Sequence, residues 1–226
     1  QKMSNKCTND TCIVKQEFIN NNNNISETKL KYYLKPERPK SWKKKPNEWL
    51  DTNNLNDVMK RYEMKHKDFK FFGAVPIDFD LKNGFGGCMI SELCKLDVKK
   101  IYDKGTRKIG VIFNLDKHDQ DGSHWISMYS DLNKKQIGYW DSYGFEPPEE
   151  INELMNKIKK QAKEKLNINY KIKINKNRHQ YKGSECGVYC LNFITEQLDK
   201  NKSFEKVTKK IIKDDEMLRR RKYFFN

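Results

Sequence analysis

In HQYKGSECGVYC (residues 179–190) a cysteine stands between an acidic residue and a glycine, with a glutamine six residues upstream and an apolar run downstream. From residue 185 to 198 the side chains Val188, Leu191, Ile194, Gln197 and Leu198 follow a helical period, so Cys186 falls where a loop enters a helix. Unpaired amides and a partial positive charge at that end stabilise a thiolate, the nucleophilic form of the side chain. Gly187 places no side chain in the path of a substrate backbone. The competing reading is a small buried hydrophobe, the usual fate of an unpaired cysteine.

A nucleophilic cysteine needs a base, a group that orients the base, and donors for the developing oxyanion. His124 opens an alternating stretch directly after a turn, and Asp141 lies near the end of the next one. If the two stretches pair as a hairpin, Asp141 can hold His124 in the tautomer that faces Cys186. A carboxylate inside IGYWDSYG (residues 137–144) needs such a partner, because burying it unpaired is costly. Alternatively it caps its own turn through Ser142 and Gly144. His179 and His118 compete with His124 as base, and His66 reads as solvated. Gln180 in the loop can donate to the oxyanion together with the Cys186 amide. Cys190, one helical turn after Cys186, reads as core or as a redox partner.

These residues must be carried by particular elements. KIGVIFNL (108–115), HWISMYSDL (124–132) and QIGYWDSYG (136–144) read as three strands of an antiparallel meander. Pro147, Pro148, Glu149 and Glu150 announce a helix whose apolar face carries Ile151, Leu154, Met155 and Ile158 towards Leu166. NYKIKINKN (169–177) gives a fourth strand, and residues 203–221 a basic closing helix or pair. Leu55, Val58, Met59 and Tyr62 predict an earlier helix ending near residue 67, capped by Asn53 or Asn54. The aromatic run FKFFGAVPIDFD is broken by Gly73 and Pro76, and NGFGG (83–87) is too irregular for a phosphate cradle. Residues 1–46, with five consecutive asparagines and a Pro and Lys cluster, read as an arm plus linker, and residues 47–226 as one domain.

Composition narrows the function classes. The 46 Lys and Arg against 31 Asp and Glu give a net charge of +15, which favours a polyanion as partner, though heavy Lys and Asn use also fits an AT-rich genome. Six cysteines are too sparse for a disulfide scaffold. Cys7 with Cys12 and Cys88 with Cys94 lack flanking histidines, so no metal and no cofactor is expected. No stretch reaches the ~18 apolar residues of a membrane span and no signal-peptide core is present, which leads us to expect a soluble protein of a reducing compartment with no membrane partner. Residue 1 is Gln, and the expectation is a processed or trimmed start.

SHWISMYS, YWDSYG and HQYKGSECGVYCLNF, in the chain order His, Asp, Cys, together resemble the motifs of the Ulp-type (C48-like) cysteine protease superfamily. Within it the chain is similar to the polyprotein-processing proteases of African swine fever virus and related large DNA viruses, through RHQ…ECG, CTNDTCIV and DDEMLRRRKYFF. The resemblance implies an α+β, papain-like fold with a mixed central sheet flanked by helices and a short N-terminal arm. It implies Cys186 as nucleophile, His124 as base and then acid, Asp141 as orienter and Gln180 in the oxyanion hole. Trp125 becomes a wall of the substrate channel, with a core tryptophan as the alternative. The implied substrate is a viral polyprotein cleaved after Gly-Gly, in the host cytoplasm at the virus factory and in the virion, with nucleic acid as a further partner of the basic surface. A SUMO or ubiquitin-like isopeptidase and a non-catalytic nucleic-acid-binding protein are the alternatives.

Overall fold

The computed structural model describes residues 34–226 except Asn83 and Phe85. Cys7, Cys12, the asparagine run and most of the expected arm lie outside the described residues. The expected meander forms the middle of the sheet: β2 (Lys108–Asn114), β3 (Trp125–Asp131) and β4 (Gln136–Trp140) pair antiparallel in sequence order. A strand that the aromatic run concealed, β1 (Phe69–Pro76), adds parallel to β2, with a register shift between Phe71 and Ala74. Gly73 sits in that shift at φ 108°, a backbone region that favours glycine. The expected strand after the long helix, β5 (Lys171–Ile174), adds parallel to β4.

Parallel neighbours need crossovers. Between β1 and β2 the chain passes through the short helices α2 (Ser91–Cys94) and α3 (Val98–Asp103), neither of which the sequence signalled. Between β4 and β5 it passes through α4 (Glu149–Leu166), whose buried face is the expected Ile151, Leu154, Met155 and Ile158, extended by Ala162. Helix α1 (Thr52–Lys65) starts at Asp51 rather than at Asn53 or Asn54: the Asp51 carboxylate accepts from the Asn54 amide, and the Asn54 side chain accepts from the Asp51 amide. This reciprocal box satisfies two amides where a single asparagine would satisfy one. Helices α5 (Cys186–Leu198), α6 (Phe204–Lys209) and α7 (Asp214–Phe224) close the fold.

The sheet divides two apolar clusters. One face packs Ile109, Val111, Ile126, Met128 and Tyr139 against α3 and α4; the other packs Phe69, Ile112, Trp125, Tyr129 and Trp140 against α1, α5 and α7. All seven residues of β3 are therefore buried, as in a sheet covered on both sides. Every residue of α5 is buried too. Two strand glycines make room for neighbouring rings: a Cβ on Gly138 would meet Phe204 of α6 at 2.7 Å and Phe193 of α5 at 3.2 Å, and one on Gly110 would meet Phe69 of β1 at 2.8 Å.

The stretch read as linker does not run free at its end. Trp42 is buried, meets Phe225 edge-on at 5.0 Å, and has the Arg221 guanidinium 4.6 Å above its ring. The Asn226 amide donates to the Pro36 carbonyl at 3.0 Å. A tryptophan set among lysines is the residue able to anchor so polar a segment. Cys88 and Cys94, in a chain read as too sparse in cysteine for a disulfide scaffold, are joined by a disulfide.

Glu185, the residue before α5, is buried and takes two parallel hydrogen bonds from Arg221 of α7, both at 2.9 Å. Removing one member strands the other charge in the core. Arg221→Ala is expected to cost about 3–5 kcal/mol in urea denaturation. Glu185→Ala with Arg221→Ala should lose less than the two single losses added together; strict additivity would show that the charges act apart.

Candidate active site

His124 immediately precedes β3 and Asp141 immediately follows β4, so the pairing of these strands, with Ser127 opposite Trp140, brings their ends together. His124 Nε2 lies 2.8 Å from Asp141 Oδ1. The carboxylate is 1 % exposed, and the same oxygen accepts from the Tyr143 amide at 2.8 Å. Asn175, past β5, donates through its side chain to the Asp141 carbonyl. The turn closes at Gly144, with φ 80°, where a Cβ would strike the backbone of residue 177 at 3.0 Å. Tyr143 stacks on the His124 ring with centroids 4.6 Å apart.

With Nε2 given to Asp141, the other ring nitrogen is left for Cys186, which lies close enough to act on the charge of the ring. Burial lowers the His124 pKa, but the hydrogen bond to Asp141, the nearby Cys186 sulfur and the charges of both outweigh it, raising it to about 9. All four histidines are among the described residues, and the other three are occupied elsewhere. His179 is fully buried, with Nε2 on the Thr208 carbonyl and Nδ1 accepting from the Ile212 amide, and burial lowers its pKa. His118 pairs with Asp78 at 2.7 Å and His66 with Asp199 at 2.5 Å.

Cys186 is the first residue of α5, where backbone amides have no partner within the helix. Glu185 does not cap them: its carboxylate is turned to Arg221. Gln180 is anchored beside the Asp141 turn, since its own amide and that of His179 donate to the Ser142 carbonyl and the Ser142 hydroxyl donates to Gln180 Oε1 at 2.6 Å. Its Nε2 donates to the Lys182 carbonyl at 2.7 Å, a bond that uses one of its two hydrogens. Ser142, through which the alternative reading had Asp141 cap its own turn, positions Gln180, while the Asp141 carboxylate accepts from the Tyr143 amide of that turn as well as from His124. Cys190 packs in the core, where burial pushes its thiol well up.

Trp125 is buried, and its indole N–H donates to the Leu50 carbonyl at 2.8 Å. A Cβ on Gly187 would lie 3.1 Å from the Leu50 side chain, a tight contact that this leucine would have to yield to. Trp49, 42 % exposed, joins Trp125, Leu50 and Met89 in lining a cavity of about 400 Å³ whose polar walls include Asp116, Lys117, His118 and Asp121; none of His124, Asp141, Gln180 and Cys186 lines it. Sequence reasoning passed over Trp49; its signal is a tryptophan two residues before a helix cap, where nothing in the helix asks for it. Among the described residues no cluster of three or more His, Cys, Asp or Glu could hold a metal ion, and no helix is long and apolar enough to cross a membrane.

A protein of Acanthamoeba polyphaga mimivirus named as a thiol protease is 40% identical over 154 residues, which are 68% of this chain and 49% of that protein. The chain thus spans about half the length of that curated relative. The SUMO-1 cysteine protease of African swine fever virus is 27% identical over 191 residues, 79% of this chain and 68% of that one. A crystal structure of the African swine fever virus protease superposes with a TM-score of 0.70 at 23% identity, covering 98% of this chain and 84% of the other, so the fold is shared. The Ulp1 protease family, C-terminal catalytic domain, matches residues 106–226, the stretch that carries His124, Asp141, Gln180 and Cys186. The chain belongs to the Ulp1 protease family.

Proposed function

We propose that this chain is a thiol endopeptidase with Cys186 as nucleophile, His124 as proton carrier and Asp141 as orienter. The observation that carries the reading is the buried hydrogen bond of Asp141 to His124, with Cys186 at the first turn of α5 close enough to raise the pKa of that imidazole. The sulfur attacks the scissile carbonyl, and the oxyanion is met by the Cys186 amide and the spare Gln180 amide hydrogen. His124 gives its proton to the departing amine as the C–N bond breaks. Water, deprotonated by His124, then hydrolyses the thioester.

The substrate we propose is a viral polyprotein cleaved after Gly-Gly. The reading is supported by the relatives named as proteases, which are viral, and two indoles, Trp49 and Trp125, line one cavity where they would leave little room for side chains. Action at the virus factory and in the virion follows from that substrate. The name of the African swine fever virus relative favours a second reading, removal of SUMO-like modifiers, which would place the same Gly-Gly tail in the same cavity. Efficient cleavage of a folded SUMO fusion, with neglect of a short Gly-Gly-X peptide, would displace the polyprotein reading. An accessory nucleic-acid contact is supported by an open cleft of about 760 Å³ lined by Lys200, Lys202, Lys206, Lys209 and Lys210.

Cys186→Ala is expected to remain folded and lose at least about 1000-fold in hydrolysis of a Gly-Gly-X peptide, and Asp141→Asn to lose a comparable factor; residual turnover in Cys186→Ala near the wild-type rate would end the proposal. Because the His124 pKa is raised from 6.5 to about 9, the proton for the leaving amine is present below that pH. The rate of peptide cleavage should fall as pH rises through about 9. The same shift stabilises the fold fully below 6.5, and that contribution is lost as pH rises through about 9, a loss His124→Gln should not show in thermal denaturation. Replacing Lys206, Lys209 and Lys210 by Ala should weaken duplex DNA binding and flatten its salt dependence by about one unit of log–log slope for each phosphate no longer neutralised, measured by fluorescence anisotropy.

A further inference from the structure

An exposed surface begins at Tyr143, the ring that stacks on His124. Tyr143, stacked on the imidazole, has Phe145 at 5.9 Å and the Arg178 guanidinium 5.4 Å above its ring. Arg178 also lies over Tyr181 at 4.6 Å, and its Nε donates to the Gln180 carbonyl at 2.9 Å. Phe145 is 65 % and Tyr181 67 % exposed, among the most exposed large hydrophobic side chains of the described residues. The ridge is not a loose feature of the surface. Its Tyr143 end leans on the proton carrier and its Arg178 end is bonded to the residue proposed for the oxyanion.

Two rigid supports hold it. Tyr143 and Phe145 follow the Asp141 turn, whose backbone is tied to Asn175. The amides of Tyr181 and Lys182 both donate to Asp214, at 3.0 and 3.1 Å. Aromatic rings kept in water by a tied backbone, with a guanidinium packed between them, form a contact surface suited to another apolar or aromatic side chain.

We infer that the ridge of Tyr143, Phe145, Arg178 and Tyr181 binds the leaving segment of the substrate, selecting a large apolar or aromatic residue shortly after the scissile bond. The inference rests on the protease reading and adds the leaving side of the substrate. With the carbonyl carbon on Cys186, the departing amine must stand at the ring that protonates it. From there the chain continues along the face that Tyr143 covers. Centroid steps of 4.6 and 5.9 Å carry the ridge from His124 to Phe145, which about three extended residues would span. The side chain selected is therefore that of the second or third residue after the cleaved bond.

The test compares three substrates sharing one Gly-Gly acyl sequence: a peptide with Phe at the second and third following positions, the same peptide with Ser there, and an acyl aminocoumarin with no following residue. Wild type is expected to prefer the Phe peptide by about tenfold in kcat/KM. Phe145→Ala with Tyr181→Ala should erase that preference and leave aminocoumarin hydrolysis unchanged, whereas Phe145→Tyr with Tyr181→Phe should retain it. Equal rates on the Phe and Ser peptides in wild type, or an equal loss on all three substrates in the alanine variant, overturn the inference while the protease reading stands. Cleavage of none of the three by wild type sinks both.

Discussion

The arrangement depends on one buried hydrogen bond, that between the Asp141 carboxylate and the His124 ring. A carboxylate so far from water is tolerated only with donors in place, and here the ring nitrogen and the Tyr143 amide share a single oxygen. The bond fixes which ring nitrogen faces the sulfur. It exists because β3 and β4 are adjacent and in one register, and a slip of one residue would turn His124 to the opposite face of the sheet. Burial of both faces makes that slip expensive, since it would exchange Tyr129 and Trp140 with Met128 and Tyr139 between two packed layers.

The sulfur is placed by a different device. Helix α5 is buried along its whole length, so its position is set by packing on every side. Its first turn carries a problem as well as an opportunity: Glu185, buried next to Cys186, would oppose negative charge on the sulfur. Arg221 neutralises it through two parallel bonds. Arg221 also lies over Trp42, and Trp42 packs on Phe225. The electrostatics at the nucleophile are thereby joined to the contact between residues 34–46 and the end of the chain.

What was legible in the sequence follows from this. The meander, the α4 face, α5 and the relation of His124 to Asp141 rest on local patterns and short-range pairing, and each could be read from spacing. Strand β1 could not, because a bulge at Gly73 and the terminal Pro76 break the alternation that marks a strand. Helices α2 and α3 have four and six residues, too few for a period to show. Trp42, Trp49 and Leu50 were hidden for another reason: their partners, Phe225, Trp125 and Gly187, are far away in sequence. The choice of base among the histidines was likewise a matter of tertiary contact. His179 lies nearer to Cys186 in sequence than His124 does, yet two backbone groups occupy it.

The family match and the cleft divide the molecule in an informative way. Residues 106–226 contain the sulfur, the imidazole, the carboxylate and the glutamine of the proposed site. Trp49, Leu50 and Met89, which line one cavity with Trp125, all lie before the matched region. These residues contribute no reactive group. The Leu50 carbonyl accepts from the Trp125 indole and the Leu50 side chain packs against Gly187, so one leucine touches the residue after His124 and the residue after Cys186. The segment preceding the matched region is thereby packed against both parts of the proposed chemistry, and a change at Leu50 would be felt at each.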